Sequence, residues 1–486
     1  MNKPIRVVSV FSLLLFVALL LNATYLMYAR AGDLAEDPRN RRTVTATFSR
    51  ERGAIIVGKE AVARSVPSDD KYKFQRTYPQ PFKYAPVTGY FSIYSKTGIE
   101  SSQDEVLSGE DSRLFVTRLI DMLSNADPTG GNVQLTLDAA AQDAAWAGLE
   151  ALPGDAKGAV VALEPTTGRV LAMASTPTFD PNGLASHDFG AVEDLSNQLN
   201  EDPDDPLTNR AIGTTLPPGS TFKLVTAAAA IESGNYDADS MVPGGYQYQL
   251  PQSTTKIGNY DGGNCGGNRI TLTQALEVSC NVTFLSLADE LGNEAMAEQA
   301  EAFGFNSTAL EDLGGQAESL YPRDMDEPAT AMSGIGQASV TATPLQMAMV
   351  AAAIANGGEV MRPYVVEEVR APNASVLART EPQVLSNAVS ATTADQLTQM
   401  MVSTVDQGTA TPAQIEGVQV AGKTGTAQST PDRPPYAWFV SFAPADDPQV
   451  AVAVMVESSE TMREEIGGGI LGGPIAKSVM EAVINQ

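Results

Sequence analysis

The sequence predicts an α/β chain of the α+β type, with a mainly antiparallel sheet flanked by helices, a β-rich segment ahead of it and one membrane-crossing helix at the start. Three observations carry that expectation. Residues 7–27 are almost wholly apolar, a run of about 21 that is long enough to cross a bilayer as a helix. Near the C-terminus three strand-like runs follow one another, residues 418–428, 437–442 and 450–456, the last two joined by the turn-like Pro444-Ala-Asp-Asp-Pro448. Between these runs and an earlier hairpin, residues 220–360 read mostly as helix.

Taken in order, Lys3 and Arg6 precede the apolar run and Arg30 follows it, which favours a cytoplasmic N-terminus. No small-x-small cleavage site follows cleanly. Residues 1–6 are therefore expected to be a cytoplasmic tail and 7–28 an uncleaved signal anchor, with the rest outside the cell; a cleaved secretory signal is the competing reading. Residues 31–131 mix short strand-like runs (44–48 and 54–57) with Pro- and Tyr-rich loops such as Tyr78-Pro-Gln-Pro-Phe82. They hold no constellation suited to catalysis, so a pedestal that spaces the chain or contacts other proteins is expected. Asp127-Pro-Thr-Gly-Gly131 marks the boundary with a second domain, residues 132–486.

In that second domain residues 133–137 read as a strand, and Asp138 caps an Ala-rich helix running through Trp146 to about residue 152. Residues 160–164 and 169–175 form a hairpin around Pro165-Thr-Thr-Gly168. Pro217-Pro-Gly219 leads into a buried helix that begins at Ser220, is filled by Ala227 to Ala230 and stops at Ser233-Gly234. The last helix, residues 475–484, is expected to pack on the sheet.

Three short motifs stand in this order: Ser220-Thr-Phe-Lys223, Ser279-Cys-Asn281 and Lys423-Thr424-Gly425-Thr426. Singly each is weak, and decoys exist. Ser68-Asp-Asp-Lys71 and Ser253-Thr-Thr-Lys256 also fit SxxK, Ser233-Gly-Asn235 fits SxN, and Lys96-Thr-Gly98 fits KTG. Context selects among them. Ser220 and Lys223 are i and i+3 on an apolar helix, so their side chains share one face. A lysine at the positive end of the helix dipole among apolar neighbours has its charged form disfavoured and can act as a base. Lys423 to Thr426 sits in an alternating strand, where glycine lets a peptide-like substrate approach the backbone.

Composition narrows the field. Two cysteines exclude a disulfide-rich scaffold and a multi-Cys zinc site, and a single histidine excludes a His-based metal cluster, so neither metal nor other cofactor is expected. His187 lies in the polar stretch Ser186-His-Asp188 and reads as an ordinary surface residue. A Ser-His-Asp triad is thus not expected, and lysine must supply the base. A net charge of -27 argues against nucleic acid or anionic lipid as a partner of the main domain. Cys265 and Cys280 could form a disulfide in an exported domain, closing a loop worth about 3 kcal/mol; a buried Cys280 and an exposed Cys265, both reduced, are the alternative.

The three motifs, at spacings of 59 (220 to 279) and 144 (279 to 423), resemble those of the penicillin-binding protein and serine β-lactamase superfamily. The likeness extends to residues 158–174, to Pro217-Pro-Gly-Ser-Thr-Phe-Lys223, to Gly334-Ile-Gly-Gln337 with Thr343-Pro-Leu-Gln-Met347, and to residues 422–428. These are similar to a monofunctional class B penicillin-binding protein of the short actinobacterial type. Arg50-Glu-Arg-Gly53 and Thr97-Gly-Ile-Glu100 look like pieces of that family's N-terminal pedestal. One departure is Tyr436, where many relatives have histidine.

The resemblance implies a five-stranded antiparallel sheet with an all-helical lobe and a site in the cleft between them. It implies Ser220 as nucleophile, Lys223 as base, Ser279 as proton relay and Asn281 as holder of a substrate amide. Lys423, Thr424 and Thr426 would bind the donor's terminal carboxylate. The expected activity is a peptidoglycan D,D-transpeptidase that acts on D-Ala-D-Ala stem peptides, is acylated by β-lactam antibiotics and has a SEDS-family glycan polymerase as partner. A D,D-carboxypeptidase or serine β-lactamase on the same scaffold remains the alternative, as does a non-catalytic β-lactam sensor or a scaffold for a glycan polymerase. No Glu-x-x-Leu-Asn segment follows the SxN motif to place a deacylating water, which weighs against a class A lactamase.

Overall fold

A computed structural model describes residues 3–30, 45, 47–115, 129–260, 262–427 and 433–485. Val44 and Ala46 of the first strand-like run, Asp127 and Pro128 of the expected boundary, and Gln428 lie outside the described residues.

Two hydrophobic cores meet at one sheet. Five antiparallel strands, the number the resemblance implies, stand in the order Ala421–Ala427, Tyr436–Ala443, Val450–Ser458, Lys157–Leu163 and Val170–Thr176. Alternate residues of a strand point to opposite faces. Accordingly Val161, Met173, Trp438, Val440 and Ala453 belong to the core shared with the helices Lys223–Glu232 and Pro344–Ala355. Val160, Ala172, Phe439, Val452 and Val454 belong to the other core, closed by the helices Ala139–Glu150 and Gly473–Ile484. With both faces covered, the central strands need apolar residues at every position, which is why residues 450–456 form an unbroken apolar run.

The Ala421–Ala427 strand is the sheet's edge. Its outer side borders the helical lobe, built from Leu272–Glu277, Asn281–Ala302 and Ala391–Asp406 around Lys223–Glu232. Asp138 caps its helix by accepting from Ala141 N, and Gly234, with φ +76°, follows the end of Lys223–Glu232.

A second sheet joins the two halves of the chain. Its order is Val376–Arg379, Val366–Arg370, Asn132–Leu135, Ile55–Val57, Glu60–Pro67 and Phe74–Thr77. The two fragments that resemble pedestal motifs meet here. Arg52 Nε lies 2.6 Å from Glu100 Oε2, Arg76 Nε lies 2.6 Å from Glu100 Oε1, and Arg52 Nη1 also reaches Asp104 at 2.6 Å. Burial pushes the Glu100 carboxyl up, but Arg76 and Arg52 together outweigh it and hold it below the usual carboxylate range. Replacing Glu100 with leucine would leave the buried Arg76 guanidinium without its counter-charge and Arg52 with Asp104 alone. A loss of about 3–5 kcal/mol is expected in chemical denaturation; a change under about 1 kcal/mol would show that the network contributes little.

Two local expectations are corrected. Thr45, Thr47 and Phe48, which read as a strand, are helical, with Phe48 buried against Tyr72 and Phe91. His187 is no ordinary surface residue. Its side chain is 9% exposed, its ring packs 4.8 Å from that of Tyr72 and 5.4 Å from that of Phe48, and its Nδ1 pairs with Asp70. It ties its loop to Phe48, Asp70 and Tyr72 of the N-terminal segment.

Candidate active site

The three motifs converge on one cleft of about 970 Å³ between the sheet edge and the helical lobe, a size that suits a peptide or drug-sized ligand. Ser220, Ser279, Asn281, Thr424 and Thr426 line it. Lys223 and Lys423 are wholly buried just behind.

Ser220 lies in a 3-10 turn, Gly219–Phe222, that runs directly into the helix beginning at Lys223. The turn is fixed from both sides. Gly219 N donates to Gly336 O at 3.1 Å, which gives Gly334-Ile-Gly-Gln337 a role in seating Ser220, and Thr221 Oγ1 donates to Pro218 O at 2.7 Å. On the other side stands the sheet edge: a Cβ on Gly425 would lie 2.9 Å from Thr221 Cγ2, 2.9 Å from Trp438 Cβ and 3.0 Å from Pro218 O. The sequence argument gave Gly425 to substrate approach. Its first requirement is instead close contact with the turn that carries Ser220.

Ser279 is the hub of the polar network. Lys423 Nζ donates to Ser279 Oγ at 2.8 Å and to Thr424 O at 2.9 Å. Lys223 Nζ lies 2.7 Å from Ser279 O, 3.2 Å from Ser279 Oγ and 2.8 Å from Asn281 Oδ1. Ser279 has φ +57°, a left-handed conformation uncommon for a residue with a side chain, and its carbonyl and hydroxyl both meet lysine amines. No hydrogen bond joins Ser220 Oγ to Lys223 Nζ among the described residues. In unliganded sites such contacts often tighten only when substrate arrives.

Burial holds the Lys223 amine well below an ordinary lysine, and the neighbouring charge of Lys423 lowers it further. Burial also lowers Lys423, to about 7. Two ammonium groups sharing one serine repel each other, so the arrangement favours a proton on Lys423 and a neutral Lys223.

The SxN motif is held by the loop before it. Cys265 and Cys280 form a disulfide. Asn281 Nδ2 donates to Gly258 O at 2.9 Å, and Asn259 Oδ1 accepts from Asn281 N at 2.9 Å. Asn259 was missed in the sequence because a single Asn in a Gly-rich loop carries no spacing signal. Thr409 was missed too: its hydroxyl pairs with Thr424 Oγ1 at 2.7 Å, and it lines the cleft beside Gly467-Gly-Gly469. A Cβ on Gly468 would lie 1.8 Å from Trp438 O, so only glycine lets that segment close the third side.

A serine beside two buried lysines, on the edge of an antiparallel sheet facing a helical lobe, defines a serine acyltransferase of the penicillin-recognising kind. The model of the penicillin binding protein transpeptidase domain matches residues 158–481, and that of the penicillin binding protein A dimerisation domain matches residues 52–133. The chain belongs to the penicillin-binding protein transpeptidase family. It is similar over its whole length to the peptidoglycan D,D-transpeptidase PbpA of Mycolicibacterium smegmatis, 43% identical over 492 residues with all of both chains covered. The PbpA of Mycobacterium tuberculosis is 42% identical over 490 residues, covering 100% of this chain and 99% of the relative. Among solved structures, penicillin-binding protein A of M. tuberculosis as its imipenem acyl-enzyme superposes with a TM-score of 0.86 at 41% identity, over 90% of this chain and 100% of that one. The penicillin G acyl-enzyme of the same protein gives 0.85 at 42% identity, with the same coverage.

Proposed function

We propose that this chain is a membrane-anchored peptidoglycan D,D-transpeptidase that crosslinks stem peptides through an ester on Ser220. The observation that carries the reading is the Ser279 hydroxyl set between the Lys223 and Lys423 amines on the wall of the cleft that Ser220 lines. The likeness to PbpA relatives over the full chain supports it, as does the acylation of the M. tuberculosis protein by β-lactams.

In the proposed reaction, Ser220 Oγ attacks the carbonyl of the penultimate D-alanine of the donor. Neutral Lys223 accepts the serine proton. The oxyanion is met by the backbone N–H groups of Ser220 and Thr426. Ser279 relays a proton to the leaving amine, terminal D-alanine departs, and the acyl group remains as an ester on Ser220. An amine of a second strand then attacks that ester, giving a new amide and the free serine. Asn281 holds a substrate amide, while Lys423 with the Thr424 and Thr426 hydroxyls holds the donor's terminal carboxylate. No external energy source is needed, since one amide replaces another.

The organisation that goes with this function is a cytoplasmic tail at residues 1–6, an anchor at 7–28, a pedestal at 31–131 and a transpeptidase domain at 132–486 on the outer face of the cell membrane. The Lys3–Tyr28 helix has the length and apolar character for the anchor. A SEDS-family glycan polymerase is the proposed partner within the membrane.

The test is mass spectrometry of products made by the full-length protein in detergent from a D-Ala-D-Ala donor and candidate amines. A new amide joining donor to amine is expected. Hydrolysed donor alone would reassign the chain as a carboxypeptidase, and rapid turnover of penicillin as a lactamase.

The two lysines also set a pH profile. Acylation needs Lys223 neutral, so the rate falls as acid protonates it. It needs charge on Lys423, which is lost as pH rises through about 7. The second-order rate of acylation by benzylpenicillin is therefore expected to fall on the alkaline side with a midpoint near 7, in stopped-flow measurements on the free enzyme. A rate that climbs steadily into the range of an ordinary lysine, about 10.4, would contradict the assignment of charge to Lys423.

A further inference from the structure

One wall of the cleft is the strand Lys256–Gly258, paired with Gln247–Gln249 in a short hairpin, and the Gly-rich loop after it. In the sequence Lys256 enters only as part of a decoy SxxK motif. Its partner in the register is Gln249, while Ile257 pairs with Tyr248. Ile257 and Tyr248 both pack inward against the main core. Lys256, Ile257 and Gly258 all line the cleft, and Lys256 shares its strand face with Gly258.

Three features set Lys256 apart from an ordinary solvated lysine. It is the only charged side chain among the described residues lining the cleft, and no described carboxylate lines it, although the chain as a whole carries a net charge of -27. It is exposed and makes no ion pair or hydrogen bond through Nζ among the described residues. Its position is also fixed against the reaction centre. Gly258 O accepts from Asn281 Nδ2, Asn259 Oδ1 accepts from Asn281 N, and the Cys265–Cys280 disulfide ties the same loop to the SxN motif. Lys256 is two residues along the strand from Gly258, or roughly 7 Å from the point where Asn281 holds the wall.

We propose that Lys256 is a specificity-determining residue that binds a second carboxylate of the peptide strand, separate from the terminal carboxylate assigned to Lys423, Thr424 and Thr426. This rests on the transpeptidase reading and extends it to the substrate: a strand that carries a free side-chain or acceptor-side carboxylate is preferred over one in which that group is an amide. A lysine ammonium is a compact point charge on a flexible stem, suited to a carboxylate whose position varies with the strand. Because the contact is exposed, its contribution is modest and salt-dependent.

The test uses the full-length protein in detergent, with Lys256→Gln and Lys256→Glu variants. In the donor arm, two synthetic D-alanyl-D-alanine peptides differ only in one internal side chain, a free carboxylate in one and its carboxamide in the other. In the acceptor arm, D-alanine is compared with D-alaninamide. Lys256→Gln is expected to raise KM for the free-carboxylate member about two- to five-fold in one of the arms and to leave the amide member unchanged. Lys256→Glu is expected to raise it further, and salt should shrink both differences. The arm that responds identifies which strand supplies the carboxylate. Equal effects on both members, or none on either in both arms, would overturn the proposal. Intact-mass detection of the acyl group on Ser220 reads the donor arm even where no crosslinked product forms, and unchanged labelling of both variants by benzylpenicillin shows the reaction centre intact. Failure of the Lys256 assignment is thus distinguishable from failure of the transpeptidase reading.

Discussion

Replacing Ser220 with alanine is expected to abolish covalent labelling by benzylpenicillin completely, with the fold unchanged. The argument is chemical first: a β-lactam ring opened by this protein leaves an ester, and an ester needs a hydroxyl placed where Lys223 can take its proton. Several hydroxyls line the cleft, so the experiment discriminates. Ser279 Oγ is already engaged by Lys423 at 2.8 Å and by Lys223 at 3.2 Å. Thr424 Oγ1 is paired with Thr409. The Ser220 hydroxyl is the one on the turn that Gly219 and Gly336 seat, and it makes no hydrogen bond among the described residues. Its removal should therefore cost stability no more than an ordinary exposed substitution, about 0.5 kcal/mol either way. Intact mass after incubation with benzylpenicillin, beside a thermal melt, reads both quantities. A persistent adduct on a well-folded variant would transfer the nucleophile to Ser279 or Thr426.

Some parts of this molecule were legible in its sequence and others were not, for identifiable reasons. The strands at Tyr436–Ala443 and Val450–Ser458 show as apolar runs because both faces of the sheet are covered. The helix after Ser220 shows because prolines and a glycine bracket an alanine-rich stretch. By contrast, the second sheet pairs Asn132–Leu135 with Val366–Arg370, more than two hundred residues away, and no local pattern encodes that pairing. Phe48 sits in a β-branched stretch that reads as strand, yet it is helical because the aromatic cluster with Tyr72 and Phe91 overrides local propensity. At the site, the residues with chemical side chains at motif spacing were found. Asn259, Thr409 and Gly468 were not, since they act by holding backbone or another side chain in place, and that function leaves no spacing of its own.

Replacing Lys223 with methionine is expected to slow acylation by benzylpenicillin about 10²–10⁴-fold, the range in which a positioned general base contributes. Methionine keeps the length and apolar stem of the side chain and removes the amine, so the apolar packing around the helix start is preserved. Two hydrogen-bond acceptors, Ser279 O and Asn281 Oδ1, then lose their donor. That cost is opposed by relief of the burial that holds the amine well below an ordinary lysine. Stability is thus a poor reporter here, and the rate is the informative one. Noncovalent binding before acylation should change little, since the proposed carboxylate site, Lys423 with Thr424 and Thr426, is left in place. The defect should fall on the chemical step. If Lys223 is the base, the variant also loses the acid limb of the pH profile, because the group whose protonation causes that limb is gone. A variant that acylates within tenfold of the parent and keeps both limbs would place the base elsewhere, with Lys423 acting through Ser279 as the next candidate, since that pair is already joined at 2.8 Å. The two outcomes separate a lysine that moves the serine proton from one that only orders Ser279 and Asn281.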